Sequence, residues 1–221
     1  PRPGRGGAGG NEAGRAGKWR RPAGRIGLRT DMGIYLNNAA TTYPKPEGVL
    51  RAVVDFMECR GANYSRGSAS MRDLESMDVV MEAREQLAGF FGAKRGELVT
   101  FTANVTQSLN TVLNGFLRPG MRVLTTSMEH NAVVRPLRAL EAAGVAVEVM
   151  SCGAEGYLSH ETLRQHLGRP AYLAVVSHAS NVCGSIQDLP MIADLCAKQS
   201  VPLVVDAAQS AGLVDIDAEA M

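Results

Sequence analysis

Four short polar stretches carry the residue types that could do chemistry in this chain. Thr102-Ala103-Asn104-Val105-Thr106-Gln107-Ser108 is a polar turn leading into a segment with helical spacing of apolar residues. Free N–H groups at such a helix start, reinforced by the helix dipole, suit an anion and above all a phosphate. Ser127-Met128-Glu129-His130-Asn131 offers an imidazole, His178-Ala179-Ser180-Asn181 an amide, and Asp206-Ala207-Ala208-Gln209 a carboxylate and a second amide. Taken singly, each has a plainer explanation. Thr106 or Ser108 suits a helix N-cap, His130 a satisfied histidine at a helix start, Asn181 a turn, and Asp206 a cap. Each stretch, however, follows a short strand-like run, and together they favour a bound cofactor.

The elements that must position these groups can be read from hydrophobic periodicity. Helices are expected over residues 49–60, 73–91, 107–117, 133–143, 159–167 and 191–199. Strands are expected over 98–101, 122–126, 145–150, 171–177 and 202–206, and Ile34-Tyr35-Leu36 is a further strand-like run. Strands that alternate with helices and are apolar at nearly every position indicate an α/β fold with an open, mostly parallel sheet sandwiched by helices. Ligands of such sheets sit at the carboxyl ends of the strands, where the polar stretches lie. No internal repeat is visible.

Composition narrows the class. The 221 residues are 45% hydrophobic and 20% charged, with no apolar run long enough for a membrane-spanning helix. Residues 1–31 hold eight Arg or Lys against Glu12 and Asp31, a net of +6, whereas residues 32–221 carry −5. A mildly acidic body argues against nucleic-acid binding outside the arm. The arm itself is rich in Gly, Arg, Ala and Pro and lacks periodicity, so it is expected to be a disordered basic extension. RNA binding and organelle targeting are its other readings. Cys59, Cys152, Cys183 and Cys196 share no metal-ligand spacing, and reduced thiols in a cytoplasmic protein, with no metal site, are expected.

Three blocks carry a specific resemblance. They are Tyr35-Leu36-Asn37-Asn38-Ala39-Ala40-Thr41-Thr42-Tyr43-Pro44-Lys45-Pro46, Thr125-Thr126-Ser127-Met128-Glu129-His130-Asn131-Ala132-Val133 and Val204-Val205-Asp206-Ala207-Ala208-Gln209-Ser210-Ala211-Gly212. In order along the chain, they resemble class V aminotransferases and cysteine desulfurases, and within that family most closely cysteine desulfurases and selenocysteine lyases. The resemblance implies pyridoxal 5′-phosphate as cofactor and the large domain of fold type I. It implies that Asp206 pairs with the pyridine nitrogen and that His130 stacks on the ring. Asn181 and Gln209 would hydrogen-bond the phenolic oxygen or the substrate, Val105 and Thr106 would bind the phosphate, and Asn38 and Ala39 would lie near the amino-acid substrate. A homodimer and a sulfur-acceptor protein are implied as partners.

Departures from the pattern accompany it. Ser65-Arg66-Gly67-Ser68-Ala69-Ser70 keeps the arginine of an Arg-Gly-x-His-like stretch but not its histidine, and Asn104-Val105-Thr106 replaces a commoner Gly-Thr or Ala-Thr. Cys183 stands where Thr or Asn is common and reads as a small packed residue. Lys18, Lys45, Lys94 and Lys198 all precede Asp206, so the implied Schiff-base lysine is expected beyond Met221, together with the small domain. On this reading residues 32–221 form an incomplete cofactor-binding domain, inactive alone. The full reaction would be cysteine desulfuration or selenocysteine lysis, with class V transamination of a small amino acid as the alternative. Two further alternatives are a truncated, non-catalytic paralogue that binds a complete subunit and a nucleotide-binding oxidoreductase. The latter lacks a G-x-G-x-x-G after the first strand.

Overall fold

Residues 122–126 and 173–177 are apolar or small at almost every position, so neither face of the strands they form can stand in water. The computed structural model describes residues 33–63 and 70–219. Residues 1–31 and Arg66, with the expectations attached to them, lie outside the described residues. Among the described residues these two runs are the centre of a four-stranded, all-parallel sheet. Its strands are β1 (Arg122–Thr126), β2 (Ala146–Met150), β3 (Leu173–Ser177) and β4 (Leu203–Asp206), in the spatial order β2-β1-β3-β4. The chain moves outward from β1 to β2, then crosses back to β3 and β4. The reversal between β1 and β3 is the switch point at which such sheets open a crevice beyond their strand ends.

Among the described residues there are six helices, α1 (Glu47–Asp55), α2 (Met71–Phe90), α3 (Val105–Phe116), α4 (Asn131–Ala142), α5 (His160–Leu167) and α6 (Leu189–Lys198), of which α3 and α4 pack on one face of the sheet and α5 and α6 on the other. A π-helical turn, Phe56–Arg60, continues α1. Strand alternation splits the core in two. Val123, Leu173 and Val175 pack with Leu109 and Leu113 of α3 and Val133 and Leu137 of α4. Leu124, Ala174 and Val176 pack with Leu163 of α5 and Ile192 and Cys196 of α6. Each fully buried aliphatic side chain here contributes about 1.5–3 kcal/mol of transfer free energy. Polar caps set the helix starts, with Asn104, Ser159 and Asp188 accepting from the N–H groups of Gln107, Thr162 and Met191.

Two expected strands are absent. Residues 98–101 form no ladder; a 3-10 turn, Gly96–Leu98, precedes extended backbone, and Leu98 and Phe101 are 63% and 52% exposed. The segment is held instead by Arg84, which donates to the carbonyls of Gly96 and Glu97. Ile34-Tyr35-Leu36 is also not a strand. Ile34 and Leu36 project into solvent, and Tyr35 Oη donates to the carbonyls of Asn37 and Thr41, folding residues 37–41 into a turn. In both cases β-prone residues find no neighbouring strand among the described residues, and side-chain propensity without a partner makes no strand.

Opposite the polar strand ends, one charged cluster pins the edge strand. Glu148 of β2 accepts from Arg122 Nε at 2.6 Å and from Arg169, and pairs with His166 Nδ1 at 2.5 Å. Arg122 also donates to the carbonyls of His166, Arg169 and Pro170. The Arg122 guanidinium, with help from His166 and Arg169, holds the Glu148 carboxyl down to about 2. Because the folded value lies below the ordinary one, the stabilisation is complete above about pH 4.5 and is lost as pH falls towards 2. Glu148→Gln should therefore destabilise the protein by about 1–2 kcal/mol at pH 7. The difference from wild type should shrink in urea titrations carried below pH 4; a constant difference across that range would refute the assignment.

Candidate functional site

The C-terminal ends of β1, β3 and β4 face a common cavity of about 500 Å³. Its walls include Val105, His130, Asn181, Asp206, Gln209 and Ala39, six of the eight residues expected to bind cofactor or substrate. The other two stand just outside. Asn38 is turned into its own loop, its Oδ1 accepting from Tyr43 N at 3.0 Å, and Thr106 follows Val105 in the first turn of α3. The opening loop reaches the sheet through Gln209 Nε2, which donates to Ala39 O at 3.5 Å.

Asp206 ends β4 and is only 5% exposed. Its Oδ1 accepts from Ala208 N at 3.0 Å, and among the described residues no Lys, Arg or His forms an ion pair with it. A buried carboxylate with one hydrogen bond and no cation is costly unless a ligand completes it. His130 is the N-cap of α4; its Nδ1 accepts from Ala132 N at 3.1 Å, so the ring proton of the neutral form sits on Nε2. The plain reading of this residue, a satisfied histidine at a helix start, describes it, and the same residue lines the cavity.

At α3 the cap arrangement decides which amides remain open. Gln107 N–H donates to Asn104 Oδ1 and Ser108 N–H to Asn104 O. The N–H groups of Val105 and Thr106, the first two of the helix, are left without such acceptors beside the cavity. That is the geometry of an anion site, and Asn104 in place of a smaller residue assists it as the cap.

Sequence reasoning did not single out four residues that shape this site. Ser177 and Met128 line the cavity, and Glu129 and His178 stand behind its walls. Burial pushes the Glu129 carboxyl above its ordinary value and the nearby Asp206 charge adds to this, against hydrogen bonds from Thr126 and Ser177 that pull it down. Burial likewise lowers His178. Glu129 lay in plain sight inside the block Thr125–Val133, but its partner Ser177 is 48 residues away. Cys183 is exposed rather than packed, and hydrogen bonds with Ser180 and Ser185 bring its thiol down to about 7.

A second cavity of about 420 Å³ lies beside the outer edge of β4, walled by Phe91, Cys196, Val205 and Ile216. Its lining is apolar, and Cys196, its one ionisable member, is pushed up to about 11 by burial. It holds no set of convergent polar groups. Among the described residues no group of acidic, His or Cys side chains is placed to hold a metal ion, and no helix is long and apolar enough to cross a membrane.

With this geometry in view, the relatives are informative. The family model for class-V aminotransferases matches residues 34–221. A probable cysteine desulfurase of Methanothermobacter thermautotrophicus is 33% identical over 189 residues, covering 85% of this chain and 46% of that protein. The cysteine desulfurase IscS of Vibrio campbellii is 34% identical over 193 residues, covering 85% and 47%. Among solved structures, the apo cysteine desulfurase of Thermococcus onnurineus NA1 superposes with a TM-score of 0.78 at 30% identity, over 85% of this chain and 47% of that one. The chain spans about half the length of the curated relatives it matches. The match of sequence and of fold has one meaning: this chain belongs to the class-V aminotransferase family.

Proposed function

We propose that this chain is the cofactor-binding part of a pyridoxal 5′-phosphate enzyme acting on a small amino acid, and that the reaction it serves is the desulfuration of L-cysteine. The observation that carries the reading is Asp206: a buried carboxylate without a cation, on the wall of a cavity that has open helix amides on another side. A ligand with a protonated ring nitrogen and a phosphate satisfies both, since each would gain a charge-assisted hydrogen bond. The residues present fit such a ligand. The likeness to cysteine desulfurases over most of the chain supports cysteine as substrate, and self-association of the whole protein and a sulfur-accepting partner belong to the same proposal.

When bound, pyridoxal phosphate supplies an electron-withdrawing ring that labilises bonds of an attached amino acid. The residues of this chain do the rest of the work assigned here. Asp206 keeps a proton on the ring nitrogen. The N–H groups of Val105 and Thr106, with the Thr106 hydroxyl, hold the phosphate. His130, anchored by its cap bond to Ala132, presents an imidazole wall that fixes the ring plane and excludes water from one side. Asn181 and Gln209 donate to the phenolic oxygen or to substrate, and Ala39, in the turn shaped by Asn38, borders the substrate. Lys45, Lys94 and Lys198 do not line the cavity, so none of them is assigned a part in the chemistry.

Two substitutions test this. Asp206→Asn should weaken pyridoxal phosphate binding by about tenfold or more, the loss of one charge-assisted hydrogen bond, as followed by equilibrium dialysis. Undiminished binding would sink the assignment of the ring nitrogen. Val105→Pro removes one open amide where proline suits the helix, because Val105 is the first helical residue and Asn104 is already extended. It should weaken pyridoxal phosphate by about five- to tenfold and leave pyridoxal, which lacks the phosphate, unaffected. Equal losses for both ligands would place the phosphate elsewhere.

A further inference from the structure

The residues on the cavity wall come from separate strand ends, and backbone pairing does not hold the end of β1 to the end of β3. The ladder between β1 and β3 stops at Thr125 opposite Val175. Beyond that pair lie Thr126 on one strand and Val176 and Ser177 on the other, and it is beyond these that the chain presents His130 and Asn181. A side chain takes over where the ladder lapses. Glu129, in the turn after β1, reaches across to β3: Oε1 accepts from Ser177 N at 3.1 Å, and Oε2 accepts from Ser177 Oγ at 2.7 Å. Thr126 Oγ1 donates to the same Oε1 at 2.6 Å, which ties the carboxylate back to its own strand.

The next strand interval is joined in a similar way. The β3–β4 ladder runs to Ser177 opposite Asp206, and His178 N then donates to Asp206 O at 2.9 Å. His178 Nδ1 lies 2.8 Å from Ser210 Oγ, in the turn that carries Gln209. Neither Glu129 nor His178 lines the cavity, yet Ser177 and Asp206 both do. The Ser177 hydroxyl proton is committed to Glu129, so its oxygen has only acceptor capacity left for anything in the cavity.

We propose that Glu129 is a positioning residue: by clamping Ser177 it fixes the adjacent His130 imidazole against β3 and, through the β3–β4 ladder, against Asp206. The inference rests on the cofactor reading above, and it assigns to Glu129 a role that reaches the ligand only through other residues. The carboxylate is an apt choice for this task. It accepts three hydrogen bonds from two strands at once, which no neutral side chain of similar size can do, and its rigidity there follows from burial.

The test uses the 221-residue chain and pyridoxine 5′-phosphate, which carries the ring nitrogen and phosphate but no aldehyde to react with lysines. Two quantities are read: its dissociation constant, and the circular dichroism induced in the ring absorption per molecule bound, which reports how firmly the ring is oriented. Glu129→Ala should weaken binding about tenfold and remove most of the induced signal, whereas Glu129→Gln, which can still accept from Ser177 N and donate to Ser177 Oγ, should come within about threefold of wild type and keep it. Ser177→Ala, a smaller change made from the other side of the clamp, should lower the signal even if the Glu129→Ala chain fails to fold. A role in stability alone would lower the melting temperature of the variants and leave the signal per bound molecule unchanged; that result overturns the inference. If the unaltered chain does not bind pyridoxine 5′-phosphate, the cofactor reading falls and takes this one with it. Normal binding with a signal indifferent to Glu129 and Ser177 overturns the positioning role alone.

Discussion

A parallel sheet buried on both faces leaves its polar groups few places to go. In this chain Val123 and Leu124, or Val175 and Val176, pack into opposite halves of the core, so no side chain along the middle of a central strand is free for chemistry. Functional side chains are therefore pushed past the strand ends. The order β2-β1-β3-β4 then decides which ends meet, because the reversal between β1 and β3 sends the flanking helices to opposite faces and opens the crevice between them. His130, Asn181 and Asp206 share one cavity because of that topology, although 76 residues separate the first from the last along the sequence.

The electrostatics of the cavity are two-ended. At one end stands Asp206, backed by the buried Glu129; at another, the open amides of Val105 and Thr106 and the positive end of the α3 dipole. Among the described residues Asp206 has no cation beside it, so this end suits a positively charged group. The second end is selective for an anion. A small molecule with charge of only one sign satisfies half of this arrangement and leaves the other half to water. His130, Asn181 and Gln209 add further polar groups to the cavity wall, suited to orienting a ligand.

Much of this was legible in the sequence, and the limits are physical. The strand at 122–126 with the helix after it, and the strand at 202–206, could be read from periodicity and caps, because those signals are local. The strand expected at 98–101 failed for the opposite reason: Leu98 and Phe101 have the right side chains, but a strand is defined by its neighbour, and the sequence does not print one. The opening run at Ile34 misled in the same way. Asp206 and His130 could be found as polar residues at the ends of apolar runs. Glu129 and His178 could not be separated from ordinary turn residues, since what distinguishes them is contact with Ser177 and Ser210, 48 and 32 residues away. Asn38 could be read as a neighbour of Ala39 in the opening segment, but its hydrogen bond with Tyr43 N is a detail of the turn that the sequence pattern does not carry.

The parts of the site also differ in how firmly they are held. His130, Asp206 and the β3 end are tied to a sheet whose central strand β3 is buried at every position. Ala39 belongs to a segment of another kind. None of the residues of α1 is buried, and Val49, Val53 and Met57 are exposed; α2 buries only Ser76 and Ala88. The opening loop meets the sheet turn at Gln209 through a hydrogen bond of 3.5 Å, at the limit of such bonds. Few buried contacts and solvent-exposed hydrogen bonds place a segment at the low end of local stability. The wall assigned to the cofactor is therefore built into the core of the fold, and the wall assigned to the substrate is not.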